Sequence, residues 1–485
     1  MRKGISQIKI PIKKSDLTLE KISLYLDVVF NEFSKNAKQI SHDYDIYCLD
    51  HAILGKTRIN EDSNANNIVV IPSLKSFVDW KTGYVFGNPI KYAQIKTTET
   101  DDIFYLNKYV RNAKQRVVDK EVGKWAYSTG VGYSFIEPKS TSFNIDFEAP
   151  YNLYCKQSDT CAKIYSAFGD NEPLFDMLYT TYTELDNKKA KKTVKVLDVY
   201  TENFLYTFEK RIGTSWTLIG NPKSRGIAKP LPLTEKRFNS DGIGIIAMGE
   251  SLQNSLDSLM SDSLDNVSDI VNEIYVYKNV NLGETPEEQA SNHRQAKKNA
   301  AIVLNTPNGS TNEADVKTLS PKMSLGEIRE TFSLLNSVFH STLGVPMEVS
   351  DTNSGGTTKS GSEVANGYDN AYNRALDDIN TFLKADTELL EKIMLICKNS
   401  EGNKIDNLNA SEIEIKYSLN LTDNILTKTQ SYVNLVQSGV PSTIALRICK
   451  LSNDPEAEGA QIDKNIEKLN LSKNLLNNQN NNSQE

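Results

Sequence analysis

The sequence predicts an α+β fold, mainly helical, and three patterns carry that prediction. Four long segments repeat apolar residues at helical spacing. One central segment, 132–238, is instead rich in Tyr, Phe, Thr and Val, with alternation in FNIDF (143–147) and KVLDVY (195–200). The breaks between segments are polar, or marked by Pro and Gly.

In chain order, residues 15–55 read as helix. Ser15 is a capping residue, and Leu19, Ile22, Leu26, Val29, Phe30 and Phe33 recur on one side. A polar loop spans 60–67, and residues 68–92 are mixed, with the apolar run 68–71 ended by Pro72. A second helix is expected over 101–128. The β-rich region follows, with a basic run at Lys188, Lys189, Lys191 and Lys192 that suits a solvated hairpin tip. Pro230, Pro232 and the stretch from Asp241 to Gly244 mark a boundary.

Residues 248–274 then read as one helix, about 40 Å long at 1.5 Å per residue. Leu252, Leu256, Leu259, Met260, Leu264, Val267, Ile270, Val271 and Ile274 share one side, and Asp262, Asp265, Asp269 and Glu273 line another. No Lys or Arg lies between Phe238 and Tyr277, so the acidic stripe has no helical counter-charge. A one-signed stripe opposes folding slightly, which suits a surface that must repel an anion.

A small α/β excursion spans 275–322. Its expected strands are 275–280, 300–304 and 316–319, around a helix at 286–299 that ends in the basic cluster Arg294, Lys297 and Lys298. Basic residues at a helix C-terminus also suit its dipole. A further helix, 324–343, is stopped by Gly344-Val345-Pro346. The loop 350–362 has no large apolar side chain. Ser360 with Glu363 forms a capping box for a helix of about 57 Å over 361–398, with Gly367 as its weak point. The remainder holds a strand at 412–419, short helices beginning at Val440-Pro441-Ser442 and Asp454-Pro455-Glu456, and an Asn-rich tail expected to be disordered.

Composition narrows the function. The chain has 485 residues and a net charge of −7, which excludes a globally basic nucleic-acid coat. No apolar run approaches the ~18 residues of a membrane span, and the first eleven residues lack a signal-peptide core. Five scattered cysteines without CxxC fit a reduced compartment and no zinc finger. The four histidines form no HExxH, so no metal site is expected. Gly55-Lys56-Thr57 lacks the upstream Gly of a phosphate loop, since Asp50 stands there. Gly242-Ile243-Gly244 lacks the third Gly of a dinucleotide turn, since Ala247 stands there. GxSxG is absent. No catalytic residue and no cofactor is expected, and the chain reads as structural or binding rather than enzymatic.

The order of these elements resembles the portal proteins of tailed bacteriophages, the head-to-tail connectors, in the branch common among phages of Gram-positive bacteria. Local stretches resemble that family too: KTGYVFGNPI at 81–90, DKEVGKWAYSTG at 119–130, GVPM at 344–347 leading to the polar loop, and LSNDPEAE at 451–458. The resemblance covers about 15–470 and lies in the order of several such stretches, none of them catalytic.

It implies a ring, usually of about twelve subunits, at one capsid vertex, carrying double-stranded DNA in packaging and ejection. Carried over by position, 1–238 is a wing, 239–274 and 323–349 are two stem helices, and 275–322 is a clip. Residues 350–362 are then a tunnel loop, 363–403 a long wing helix, 404–470 a crown and 471–485 a tail. The implied partners are other copies of the chain, DNA without sequence readout, the large terminase subunit, a head-completion adaptor, scaffold and major capsid protein, and no membrane. The implied location is the virion, with the host cytoplasm during assembly. On this reading Asp262, Asp265, Asp269 and Glu273 line the channel and repel phosphate. Asn353, Ser354, Gly355, Gly356, Thr357, Thr358, Lys359 and Ser360 project into it. The competing readings are another ring-forming virion protein, such as an adaptor or minor capsid protein, and a DNA-processing nuclease, which needs a metal-binding carboxylate cluster.

Overall fold

The computed structural model describes residues 4–57, 66–95, 101–139, 144, 147–169, 171–185, 191–226, 229–271, 274–278, 285–299, 315–319, 325–346, 361–420, 425–449, 451–452, 458–459 and 461–465. It is a mixed α+β chain. Strand β1 (Ile8–Ile10) precedes helix α1 (Leu19–Tyr47), which Thr18 caps by accepting from the Lys21 N–H. The cap is therefore Thr18 rather than Ser15, and a short 3₁₀ turn, Ala52–Gly55, follows the helix.

Helix α2 (Ser73–Phe86) leads to β2 (Lys91–Gln94). The helix expected over 101–128 is two helices, α3 (Asp101–Asn112) and α4 (Gln115–Thr129). Lys114 separates them in the left-handed region, at φ 55°. The β-rich region is then β3 (Val131–Pro138), β4 (Tyr151–Lys156), β5 (Cys161–Ser166), β6 (Pro173–Leu185), β7 (Lys191–Tyr200), β8 (Phe204–Lys210), β9 (Thr217–Leu218), β10 (Lys223–Ser224) and β11 (Leu233–Arg237).

Beyond it run α5 (Ile245–Val271), β12 (Ile274–Lys278), α6 (Pro286–Asn299), β13 (Asp315–Leu319), α7 (Leu325–Leu343) and α8 (Gly361–Lys398). Strand β14 (Ile413–Lys416) and helices α9 (Ile425–Gln437) and α10 (Ser442–Cys449) complete the order. Helix α9 has no counterpart in the sequence reading. The strand expected at 300–304 and the helix expected from 454 lie outside the described residues. The basic run falls at the junction of β6 and β7, which pair antiparallel from Asp176↔Tyr200 to Leu185↔Lys191.

A seven-stranded sheet has the order β1-β5-β6-β7-β8-β10, with β9 on β8. Helix α1 lies on it, because Ile22, Leu26, Val29 and Phe33 meet the inward residues Ile164, Phe175, Met177, Leu197 and Val199. A three-stranded sheet, β11-β3-β4, stands beside α4 and α8. Two short antiparallel pairs complete the sheets: β14 with β2, which ties residues 413–416 to 91–94, and β12 with β13.

The arm returns to α5 through glycines that the sequence offered without a role. Gly130 caps α4 at φ 95°, and a Cβ there would stand 2.2 Å from the Gly242 carbonyl oxygen. A Cβ at Gly244 would stand 2.2 Å from the Ser128 oxygen. Gly242-Ile243-Gly244 is thus a seat for close backbone packing.

Helix α8 is held by apolar residues such as Phe382, Leu389, Leu390 and Ile393, and by buried charges. Asp378 pairs with Lys81 of α2 at 3.0 Å. Asp386 pairs with Lys236 of β11 at 2.6 Å and accepts from the Tyr417 hydroxyl. Glu388 pairs with Lys163 of β5 and with Lys392. Asp119, buried close to the Asp386–Lys236 pair, is pushed up to about 7: burial disfavours its charge, and Lys236 offsets this only in part.

A carboxyl raised this way binds its proton more tightly folded than unfolded. Its contribution is therefore fully present below about pH 4 and is lost as pH rises through about 7. Asp119→Asn is expected to raise the melting temperature more at pH 8 than at pH 5. An equal gain at both pH values counts against the assignment.

Candidate channel-facing stem

Helices α5 and α7 pack along one another, and the polar residues of α5 are arranged in a ladder. Gln253, Asp257, Ser261 and Asp265 recur every four residues, and all four are buried. An extended segment, 67–71, runs antiparallel along them. The Asn67 N–H donates to Asp265 Oδ1 at 2.7 Å, Val69 N–H to Ser261 Oγ at 3.0 Å, and Ile71 N–H to Asp257 Oδ1 at 2.9 Å.

The match is geometric. Four helical residues rise about 6 Å, and two extended residues span about 6.6 Å, so alternate amides meet successive turns. Gln253 Oε1 then accepts from the Leu74 N–H at 3.2 Å in the first turn of α2, where no side chain caps the helix from within. The Gln253 amide returns a bond to the Ile71 carbonyl at 2.7 Å and another to Asp257 Oδ1 at 2.9 Å. His51 Nδ1 meets Asp257 Oδ2 at 2.6 Å.

Lys56 closes the far end, 2.7 Å from Asp262 and 2.9 Å from Asp265. Burial acts against the Asp265 charge, but the Asn67 amide and Lys56 outweigh it and hold the carboxyl below its ordinary value. The bonds from Asp265 are therefore fully made above the usual carboxylate range and released as pH falls through the lowered value.

The expected acidic stripe is thus divided. Asp265 is 5 % exposed and bound to Lys56 and Asn67, so it faces the N-terminal part of the chain rather than open solvent. Asp262 is exposed apart from its contact with Lys56. Asp269 lies within α5, but its side chain is outside the described residues, as is Glu273 altogether. Loop residues 353–360 also lie outside them. Arg294 is exposed on α6, whereas the side chains of Lys297 and Lys298 are not described.

Sequence reasoning missed Gln253, Asp257 and Ser261. The available signal was their exact four-residue recurrence, continued by Asp265 and Asp269. The shared apolar side of α5 is buried at Leu256 but opens toward the far end, where Leu264 and Val267 are 41 % and 44 % exposed. On α7, Leu334 and Val338 are 65 % and 41 % exposed. Among the described residues no cluster of His, Cys, Asp or Glu could hold a metal ion, and no helix is long and apolar enough to cross a membrane.

The described chain thus combines paired long helices, a β-rich region, a small α/β excursion and a long crossing helix. The chain belongs to the phage portal proteins, SPP1 Gp6-like, whose family model matches residues 26–470. It is 22 % identical over 245 residues to the portal protein of Bacillus phage SPP1, a match covering 48 % of this chain and 46 % of that protein. The chain thus spans about half the length of the curated relative it matches. A chain from the virion of the native gene transfer agent particle is similar over 78 % of this chain and 88 % of its own length. That likeness, with a TM-score of 0.42 and 12 % identity, is too loose to carry an argument.

Proposed function

We propose that the chain assembles into a ring at one capsid vertex and that double-stranded DNA passes through its centre during packaging and ejection. The observation that carries this is the stem. Helices α5 and α7 are long and paired, yet each leaves apolar side chains in solvent: Leu264 and Val267 on one, Leu334 and Val338 on the other. A ring neighbour of the same sequence covers such residues, and a head-to-tail contact that closes makes a ring, here of about twelve copies.

On this reading 1–238 is the wing, α5 and α7 the stem, 275–322 the clip, 350–362 the tunnel loop, 363–403 the long wing helix and 404–470 the crown. The clip, with Arg294, Lys297 and Lys298, meets the terminase motor and then the head-completion adaptor. Scaffold and capsid protein meet the outer surface. The protein acts without a cofactor, as a structural part of the virion that assembles in the host cytoplasm.

Asp262, Asp269 and Glu273 face the channel, with Asp262 also sharing Lys56 with Asp265, which serves the clasp to the wing. Carboxylates repeated around the ring repel phosphates, whereas a basic channel would hold DNA through counterion release. Replacing Asp262, Asp269 and Glu273 by Lys is expected to leave rings intact in negative-stain images and to lower packaged DNA about tenfold or more. Normal packaging by the triple variant sinks the channel assignment. Absence of rings from the unmodified protein, with its scaffold present, sinks the ring itself.

A further inference from the structure

The outer side of α4 carries a row of cations, of which the fold uses only Arg116. Lys114, Arg116 and Lys120 are exposed and Lys124 is half-buried at the end of the same row, away from the buried Val118, Val122, Trp125 and Ala126. Glu121 is the single acidic residue among them. Among the described residues, Lys114, Lys120 and Lys124 make no ion pair. Arg116 donates to the Gly87 carbonyl at 2.6 Å.

Each part of this arrangement opposes folding. Lys114 and Arg116 stand at a helix N-terminus that has no acidic residue in its first turn, so they meet the positive end of the dipole. Arg116, Lys120 and Lys124 follow at four-residue spacing, where like charges repel. Lys114 also holds a left-handed backbone at φ 55°, a region that glycine usually occupies and that a Lys enters at a cost. Three unfavourable features on one helix of a chain with net charge −7 point outward, to an anion that rewards them.

We infer that this face of α4 is a second DNA-contact surface, distinct from the channel, that holds phosphates without reading sequence. The inference rests on the portal reading, in which packaged duplex fills the head around the ring. Three cations about 6 Å apart along the helix form a row, the form of a contact to one phosphate backbone rather than to a point ligand.

The test uses the full chain and a labelled 30-base-pair duplex, with anisotropy followed against salt. Three phosphate contacts give a log–log slope of about −3, so affinity falls about 40-fold between 50 and 200 mM salt. Arg116→Gln/Lys120→Gln/Lys124→Gln is expected to abolish that dependence. The control Lys21→Gln/Lys35→Gln/Lys38→Gln, on α1, is expected to retain it. Equal binding by the two triple variants overturns the inference, as does an unmodified protein with a slope shallower than −1. Displacement of the duplex by polyglutamate at equal charge concentration also overturns it, in favour of an acidic protein partner. Failure here leaves the channel untouched, because the stem variants report on packaging and not on this face.

Discussion

Lys81→Met is expected to cost about 3–5 kcal/mol of folding stability at neutral pH, as removing one member of a buried ion pair does. Lys81 and Asp378 are 6 % and 9 % exposed, with Nζ to Oδ2 at 3.0 Å. The Tyr127 hydroxyl donates to the same Oδ2 at 3.1 Å, and the ammonium lies over the Tyr127 and Phe238 rings. Three elements, α2, α4 and α8, therefore meet on one charge pair. Burial raises the Asp378 carboxyl, and Lys81 and Tyr127 offset part of that.

Removing the lysine leaves the carboxylate buried with only a hydroxyl to solvate it. The penalty should shrink as pH falls, because a raised carboxyl takes up its proton and stops being a charge. The second change, Asp378→Asn, removes the charge and keeps an acceptor for Tyr127. The double variant Lys81→Met/Asp378→Asn is therefore expected to recover most of the loss. Chemical unfolding of the single and double variants at pH 7 and pH 5 checks this. A single variant within about 1 kcal/mol of the unmodified chain shows that the pair does not anchor α8.

The helices legible in the sequence were those whose burial is apolar and periodic. Leu26, Val29 and Phe33 mark α1, and helix α8, Gly361–Lys398, has the bounds that its periodicity and capping box predict. Less legible were features that depend on distant partners. The split between α3 and α4 is made at Lys114, whose left-handed backbone has no local residue preference behind it. The ladder on α5 needs amides some 190 residues away, from a segment that reads only as an apolar run before a proline. Burying Asp257 and Ser261 is costly in isolation and becomes affordable once each has a partner, so the apolar pattern of one helix reveals the burial of Leu256 but not that of the polar ladder beside it. The same pattern placed Asp265 in an open stripe, because Lys56 looked like the end of a failed phosphate loop rather than a counter-charge.

Asp257→Ala is expected to cost about 3–5 kcal/mol, because one side chain serves three donors. Asp257 is fully buried. Its loss strands the Ile71 N–H, a Gln253 amide hydrogen and the His51 ring nitrogen at once. Each stranded buried donor costs about 1–3 kcal/mol, less what relaxation recovers. The effect should spread along the rungs, since an extended segment held by three amides has no other ladder to join. Hydrogen exchange at Val69 and Ile71 should quicken together, although the Ser261 bond to Val69 is chemically untouched.

Asp257→Asn separates shape from charge. Its carbonyl can still accept from Ile71, and its amide can face His51 if the imidazole moves its proton to the other nitrogen. That variant should cost about 1–2 kcal/mol and keep Ile71 protected. Unchanged Ile71 exchange in Asp257→Ala would show that apolar packing, not the ladder, holds the segment. If the ladder does hold it, the 67–74 stretch grips α5 through directional bonds. Directional bonds fix the rotation of α5 about its own axis, which apolar contact alone fixes less well, and that rotation sets which face of the stem Asp262 occupies.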